Sequence, residues 1–118
     1  MARYRLAPAA RSDVAEILVH SHQMFGPLAR RRYRGLMETA FRLVAEQPRR
    51  SGAAVRPDLG EGLLQFHLRH CPDAALRDGR VQRPCHALYY RVVEPGLVDI
   101  LRVLHDRMDP RRHVDNDN

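Results

Sequence analysis

The sequence predicts an α+β fold: a short N-terminal strand, then a two-helix antiparallel hairpin packed on an antiparallel sheet of three to four strands. Two observations support this prediction. Apolar residues recur at helical spacing over residues 8–47, whereas residues 63–105 form short alternating or apolar runs separated by Pro and Gly. Helices grouped before strands indicate a helical layer over one sheet face. The length suits one domain, predicted over residues 1–114, with a frayed polar tail at 115–118.

The first three elements are predicted from local signals. Residues 3–7 alternate and predict the N-terminal strand, and Pro8 suits the first turn of a helix. The pair Gly26-Pro27 ends this helix and opens the second, which stops before Pro48. The predicted buried positions of the first helix are Ala10, Val14, Ile17, Leu18, Ser21 and Phe25, and those of the second are Tyr33, Leu36, Met37, Ala40, Leu43 and Val44.

The later strands are predicted at residues 63–69, 86–93 and 98–105. Residues 49–61 read as a loop, and residues 71–84, with two prolines and a glycine, predict a surface segment that we call the excursion. Pro95 and Gly96 occupy the central positions of a predicted type II turn between the last two strands. The three strands therefore form an antiparallel meander.

Composition excludes several classes of protein. Hydrophobic residues make up 44% of the chain, which is a globular rather than a disordered composition. No apolar run approaches the roughly 20 residues that span a bilayer, and residues 1–6 lack the apolar stretch of a signal peptide. These features predict a cytoplasmic protein without a membrane partner.

The positive charge lies in one half of the chain. Residues 1–50 contain ten arginines against four acidic residues, whereas residues 51–118 contain ten of each. This asymmetry favours an acidic partner, either nucleic acid or an acidic protein segment, although solvation explains any single arginine equally well. Four arginines lie at the start of the second helix, where cations oppose the helix dipole, so a partner is a better reason for them than helix stability. This basic cluster comprises Arg30, Arg31, Arg32 and Arg34.

A metal site is one candidate for chemistry around the excursion. Zinc takes about four nitrogen or sulfur ligands in tetrahedral geometry. The available side chains follow no recognised zinc spacing, with neither CxxC nor HExxH, so we favour reduced cysteines in an ordinary loop and predict no metal or cofactor. The candidate ligands are His67, His70, Cys71, Cys85 and His86.

RNA cleavage is a second candidate. Such an enzyme places an arginine beside the scissile phosphate and uses His or Tyr to move protons. The residues that supply these groups are Arg102, His105, Arg107, Tyr89 and Tyr90. Ordinary sheet tyrosines, one facing inward and one outward, with solvated arginines, are the favoured alternative.

Protein docking is a third candidate. A sheet covered by helices on one face leaves its other face open, where apolar side chains could line a groove for a partner. Those side chains are Leu64, Phe66, Leu88 and Tyr90. The alternative is that they form the core under the hairpin, and the sequence does not fix the strand register that decides between the two.

Four segments together resemble a known family. They are YRLAPAARSDVAEI at residues 4–17 with the Gly26 break, ARRRYRGLMETAFRLVAEQP at 29–48, HALYYRVV at 86–93 and ILRVLHDRMD at 100–109. The last is the most specific, because a final strand I-L-R-V-L-H followed by a charged residue, Arg and Asp is similar to a signature of ParE-type toxins. The chain thus resembles the ParE branch of the RelE/ParE toxin–antitoxin superfamily.

The resemblance implies a non-enzymatic toxin that inhibits DNA gyrase and blocks replication. It also implies neutralisation by a cognate ParD-like antitoxin in a hetero-oligomer, with DNA contacted only through the antitoxin. We predict that target contact involves Arg102, His105, Arg107, Met108 and Asp109. We predict antitoxin contact at Leu64, Phe66, Leu88, Tyr90, Arg30, Arg31 and Arg34.

Two departures from the family pattern bear on function. Gly62 is followed by Leu63 and Leu64, where members often place an arginine, and this counts against the alternative of a ribosome-dependent mRNA endoribonuclease of the RelE type. The excursion replaces an expected tight turn and bears on antitoxin or target contacts. A third reading is a relative that has lost toxicity and survives as a binding module.

Overall fold

A computed structural model describes residues 2–114 and confirms the predicted α+β class. The predicted fraying of 115–118 lies outside the described residues. Neither long helix within 2–114 is apolar enough over its length to cross a membrane. The elements are Arg3–Leu6 (β1), Pro8–Phe25 (α1), Pro27–Glu46 (α2), Ala53–Val55 (β2), Leu64–His67 (β3), His86–Glu94 (β4), Leu97–His105 (β5) and Pro110–His113 (α3).

The sheet has five strands in the order β1-β5-β4-β3-β2, one more than predicted. The additional strand, β2, lies in the predicted loop and pairs antiparallel with β3, Ala53 opposite Phe66. The predicted meander of β3, β4 and β5 is antiparallel, and β1 joins β5 in parallel. Gly96, between β4 and β5, has φ +81°, as a type II turn requires. The topology therefore places β5 near the middle, between β1 and β4.

The helical hairpin covers one sheet face. The four side chains predicted to line an open docking groove lie beneath it, each no more than 2% exposed, and form the main core with α2. The reason is register: Leu64 pairs with Tyr90 and Phe66 with Leu88, so all four point to the helical side. The groove interpretation is wrong for these four residues, Leu64, Phe66, Leu88 and Tyr90, and the core interpretation is correct.

The opposite sheet face is covered as well. A second apolar cluster there packs under residues 56–63 and the C-terminal segment, with Met108 and Val114 at its border. The predicted open face is thus closed by a loop and a short helix that carry no long periodic signal. The cluster consists of Leu59, Leu63, Ala87, Tyr89, Leu101 and Leu104.

A bulge in β5 lies opposite the two consecutive tyrosines of β4. Tyr89 pairs with Arg102 but Tyr90 pairs with Ile100, so Leu101 is an extra residue in β5. Tyr89 belongs to the cluster under the loop and Tyr90 to the core under the helices. Both are buried, because both faces of the sheet are covered.

Candidate functional site

A groove of about 1010 Å³ runs between the helical hairpin, the excursion and the end of β5. Its apolar lining comes from all three parts of the chain, and arginines of α2 and the excursion border it. We call it the hairpin groove. Its apolar lining includes Ile17, Phe25, Leu28, Val81, Val103 and Met108, and the bordering arginines are Arg32, Arg80 and Arg83.

The tip of the hairpin is apolar and exposed. Gly26, with φ +91°, turns the chain directly from α1 into α2, so no loop covers the last turn of α1. Phe25 is therefore 72% exposed, contrary to its predicted place on the buried face. Met24 and Leu28, close to Phe25 in sequence, are also exposed. Clustered exposed apolar side chains of this kind mark an interaction surface more often than a chance feature.

Arg102 is tied to α1 at the free edge of β5. Its Nε and Nη2 donate to the two carboxylate oxygens of Asp13, at 2.7 and 2.8 Å, and its Nη1 donates to the His113 carbonyl at 2.8 Å. Asp13 also accepts from the backbone N–H of Val103 at 2.9 Å. This edge lies beyond the end of β1, so Asp13 replaces the missing strand partner. Arg102, predicted as a target contact, joins α1 to the C-terminal segment.

Tyr33, Cys85 and His86 form a polar cluster in the wall of the groove. The Tyr33 hydroxyl accepts from the Cys85 N–H at 3.2 Å and lies 2.6 Å from His86 Nδ1, to which it can donate. Burial, followed by the neighbouring His105, lowers the pKa of His86 to about 4. Burial also raises the pKa of the Tyr33 hydroxyl and of the Cys85 thiol. At neutral pH the cluster is therefore uncharged and holds no thiolate nucleophile.

The predicted target-contact residues 105–109 form one tight turn at the end of β5, which we call the polar turn. The N–H groups of Arg107 and Met108 donate to Nδ1 and to the carbonyl oxygen of His105, at 3.0 and 2.9 Å. Asp109 caps α3 by accepting from the Arg111 N–H, and this bond holds the pKa of its carboxyl below the usual range. Arg107 and Asp109 are exposed, while His105 and Met108 are half-buried.

The excursion packs on the basic cluster of α2. Arg31 Nε lies 3.8 Å from Asp78 Oδ1, and Arg32 Nε donates to the Asp78 carbonyl at 3.3 Å. Arg34 pairs with Glu38 one turn along α2. Within residues 2–114, Arg30 and Arg32 are the members of the cluster without an ion pair. The chain itself thus neutralises part of the charge for which the sequence suggested only a partner.

The five residues proposed for RNA cleavage are not brought together. The Tyr90 hydroxyl donates to the Pro48 carbonyl on the helical side, whereas Tyr89 lies on the opposite face. Arg102 is engaged by Asp13, which leaves His105 and Arg107 at the polar turn. No metal-binding group of three or more His, Cys, Asp or Glu side chains occurs in the part of the chain that the structure describes. Cys71 and Cys85 are both free thiols, Cys71 in the main core.

Two site residues are not indicated as such by any sequence motif. Asp13 lies within the apolar face of α1, and its position between Ala10 and Ile17 at helical spacing is the signal for a buried carboxylate. The sequence indicates His67 only as a candidate metal ligand. Its ring donates from Nε2 to Asp106 Oδ1 at 2.7 Å, a pairing of residues 39 positions apart that no local pattern reveals.

The fold and the site together define a small α+β protein that presents an apolar-tipped, basic helical hairpin beside a polar turn. Residues 4–110 match the family described as "ParE toxin of type II toxin-antitoxin system, parDE", and the chain belongs to this family. The resemblance drawn from the sequence segments is thereby confirmed.

Curated relatives agree with this assignment, and a solved structure shares the fold. The chain is 29% identical over 112 residues to Toxin ParE1 of Mycobacterium tuberculosis (strain CDC 1551 / Oshkosh), covering 95% of this chain and 97% of the relative. It is 31% identical over 117 residues to Toxin ParE1 of Caulobacter vibrioides, covering 97% and 99%. A structure described as "Chromosomal ParDE TA system from P. aeruginosa" shares the fold, with TM-score 0.60, 19% identity and coverage of 89% and 96%.

Proposed function

We propose that this ParE-family toxin inhibits DNA gyrase by binding rather than by catalysis, and that a cognate ParD-like antitoxin neutralises it. The observation that carries the proposal is the family match over residues 4–110, combined with a site at which the residues needed for RNA cleavage lie apart. The proposed action is cytoplasmic, where gyrase acts on the chromosome.

The polar turn is the proposed target contact. Arg107 and Asp109 are exposed there, and His105 and Met108 lie beside them where β5 ends. Arg102 contributes indirectly, since its guanidinium is already held by Asp13 and His113 and keeps α3 beside the turn. A rigid turn with one exposed cation suits contact with a protein surface, because little conformational entropy is lost on binding.

The hairpin groove is the proposed antitoxin site. Phe25 and Leu28 give it an apolar end, Arg32 borders it, and Arg30, Arg31 and Arg34 are exposed on the first turns of α2. This combination suits an amphipathic segment with acidic flanks. Since His105 and Met108 also line the groove, a bound segment would cover part of the polar turn, and antitoxin and gyrase would compete.

The test is a pair of reactions with the purified protein. In the first, gyrase supercoils relaxed plasmid with increasing toxin; in the second, ribosomes translate an mRNA whose ends are mapped. We expect supercoiling to stop while the mRNA stays intact, and antitoxin to restore supercoiling. Arg107→Ala should weaken inhibition, whereas Arg91→Ala, on β4 away from the groove, should not.

Codon-positioned cuts in the mRNA with normal supercoiling would contradict gyrase inhibition and support the endoribonuclease alternative. Normal activity in both reactions, together with harmless expression in cells that lack antitoxin, would support the binding-module alternative. Antitoxin that binds without restoring supercoiling would contradict the proposed competition.

A further inference from the structure

His67 lies outside the polar turn in sequence but contacts it in space. It is the last residue of β3, and two neighbouring strand pairs connect its end of the sheet to the turn: His67 opposite Ala87, and His86 opposite His105. Its side chain is only 7% exposed, whereas that of Asp106 is 49% exposed. A buried group of the sheet therefore holds a surface residue of the turn.

The hydrogen bonds of His67 determine which nitrogen faces the turn. Nδ1 accepts from the Arg69 N–H at 3.0 Å, so Nε2 is the nitrogen that donates to Asp106 Oδ1 at 2.7 Å. The Asp106 N–H in turn donates to the Cys85 carbonyl at 2.9 Å. Asp106 is thus fixed through both its backbone and its side chain, by residues from outside the turn.

The turn has few other connections to the sheet. The bonds from Arg107 and Met108 to His105 close it internally, and the Asp109 cap orients α3. Neither of these arrangements joins the turn to the sheet. The Asp106 N–H bond to the Cys85 carbonyl joins it to the residue before β4, and the His67–Asp106 bond adds a side-chain contact with β3, two positions away from β5 in the sheet.

We propose that His67 is a positioning residue for target binding: its bond to Asp106 sets the orientation in which Arg107 and Met108 meet the target. This inference rests on the proposed function for its inhibition readout. Its structural part, that His67 orders the polar turn, stands independently.

Substitutions at His67 and Asp106 distinguish the effect of the hydrogen bond between them from the effect of the volume of the His67 ring. His67→Phe retains an aromatic ring without a donor, His67→Gln retains an N–H near the place of Nε2, and Asp106→Ala removes the acceptor at an exposed position. His22→Gln, on the exposed side of α1, is the matched control histidine. Each is measured for amide hydrogen exchange at residues 106–108, gyrase inhibition and affinity for the antitoxin.

A hydrogen bond to a charged group contributes enough that its loss should speed exchange at 106–108 by about tenfold or more. We expect His67→Phe and Asp106→Ala to do this and to weaken gyrase inhibition by a similar factor. His67→Gln should recover most of both effects, and His22→Gln should behave as wild type. Adding His67→Phe to Asp106→Ala should change little, because the bond is already broken.

Unchanged exchange at 106–108 in His67→Phe and Asp106→Ala would overturn the proposal, as would additive effects in the double variant. If His67→Phe does not fold, Asp106→Ala decides. A wild-type protein that fails to inhibit gyrase contradicts the proposed function alone, since the exchange measurement still tests the role of His67. Faster exchange with undiminished inhibition would show that the orientation of the turn is irrelevant to the target.

Discussion

At the scale of single residues, Asp13 shows how a buried charge organises the edge of the site. Its carboxylate satisfies Arg102 through two bonds and the Val103 N–H through a third, and its side chain is only 10% exposed. Removing one partner of a buried pair leaves the other charge uncompensated, which costs more than the pair contributes. Asp13 is therefore expected to contribute more to stability than the exposed ion pairs seen within residues 2–114.

We predict that Asp13→Ala lowers the free energy of unfolding by about 2–4 kcal/mol. The substitution leaves the Arg102 charge without its carboxylate and the Val103 N–H without its acceptor. The measurement is urea unfolding followed by circular dichroism. The control is Glu38→Ala, which breaks an exposed pair with Arg34 and should cost at most about 1 kcal/mol. Equal losses in the two variants would show that the Asp13 network contributes no more than surface charge.

His86 gives the fold a defined pH dependence. Its pKa is about 4 in the folded state against an ordinary value of 6.5, chiefly because of burial and then because of His105. The unfolded chain therefore binds a proton at a higher pH than the folded chain does. The stability associated with the neutral ring is complete above about pH 6.5 and is lost as the pH falls towards 4.

We predict that the free energy of unfolding falls by on the order of 1–2 kcal/mol between pH 7 and pH 4.5 on account of His86, after allowance for its partial exposure. His86→Asn, which can still pair with Tyr33 and does not titrate, should flatten the profile over this range. Urea titrations at several pH values make the comparison. Parallel profiles for the two proteins would exclude His86 as the titrating group.

At the scale of elements, the sequence predicts the features that neighbouring residues determine, but not those that depend on contacts between distant parts of the chain. Both long helices begin where Pro8 and Pro27 predict, because Pro, Gly and apolar spacing act within a few residues. Strand β2 has three residues and no periodicity, so only its pairing with β3 defines it. Whether Leu64 and Tyr90 lie in a core or in a groove depends on register and on what covers each face, and neither is encoded locally.

The excursion is the element whose packing explains an unfavourable helix residue. Gly35 lies inside α2, where glycine costs about 1 kcal/mol relative to alanine. A Cβ at this position would lie 3.1 Å from Asp78 Oδ2, closer than an ordinary contact. The glycine therefore allows the excursion to approach α2 and to place Asp78 beside Arg31 and Arg32.

We predict that Gly35→Ala depends on Asp78. In the wild-type chain the helix-propensity gain is offset by the close contact, so the unfolding free energy should change little or fall. In an Asp78→Ala background the same change should stabilise by about 0.5–1 kcal/mol. Thermal and urea unfolding of the four proteins complete the cycle. An identical effect of Gly35→Ala in both backgrounds would mean that the contact does not constrain α2.

At the scale of the whole molecule, positive charge and exposed apolar surface lie on different parts of the helical layer. The half of the sequence with excess arginine forms β1 and the helical hairpin, so the positive charge lies on the helical layer. The apolar tip, with Phe25 and Leu28, lies at the end of the same hairpin. Long-range charge accelerates encounter, whereas apolar contacts slow dissociation. The two features should therefore affect different rate constants of antitoxin binding.

We predict that Arg30→Gln combined with Arg34→Gln lowers the association rate several-fold at low salt, and that about 0.5 M salt removes the difference. Phe25→Ala should instead raise the dissociation rate by about tenfold or more, since aromatic anchors dominate interface energies. The melting temperature of the Phe25→Ala variant should not change, because the Phe25 ring is 72% exposed. Stopped-flow or surface-binding kinetics with the cognate antitoxin separate the two rates.

Arg91→Gln removes one half-buried charge on β4 without touching the hairpin, and its comparison with the single variant Arg30→Gln controls for net charge. If Arg91→Gln slows association as much as Arg30→Gln does, net charge rather than the helical layer guides the encounter. If Phe25→Ala leaves the dissociation rate unchanged, the antitoxin does not occupy the tip. Competition between the antitoxin and gyrase would then have to arise at the polar turn alone, where Met108 and His105 border the groove.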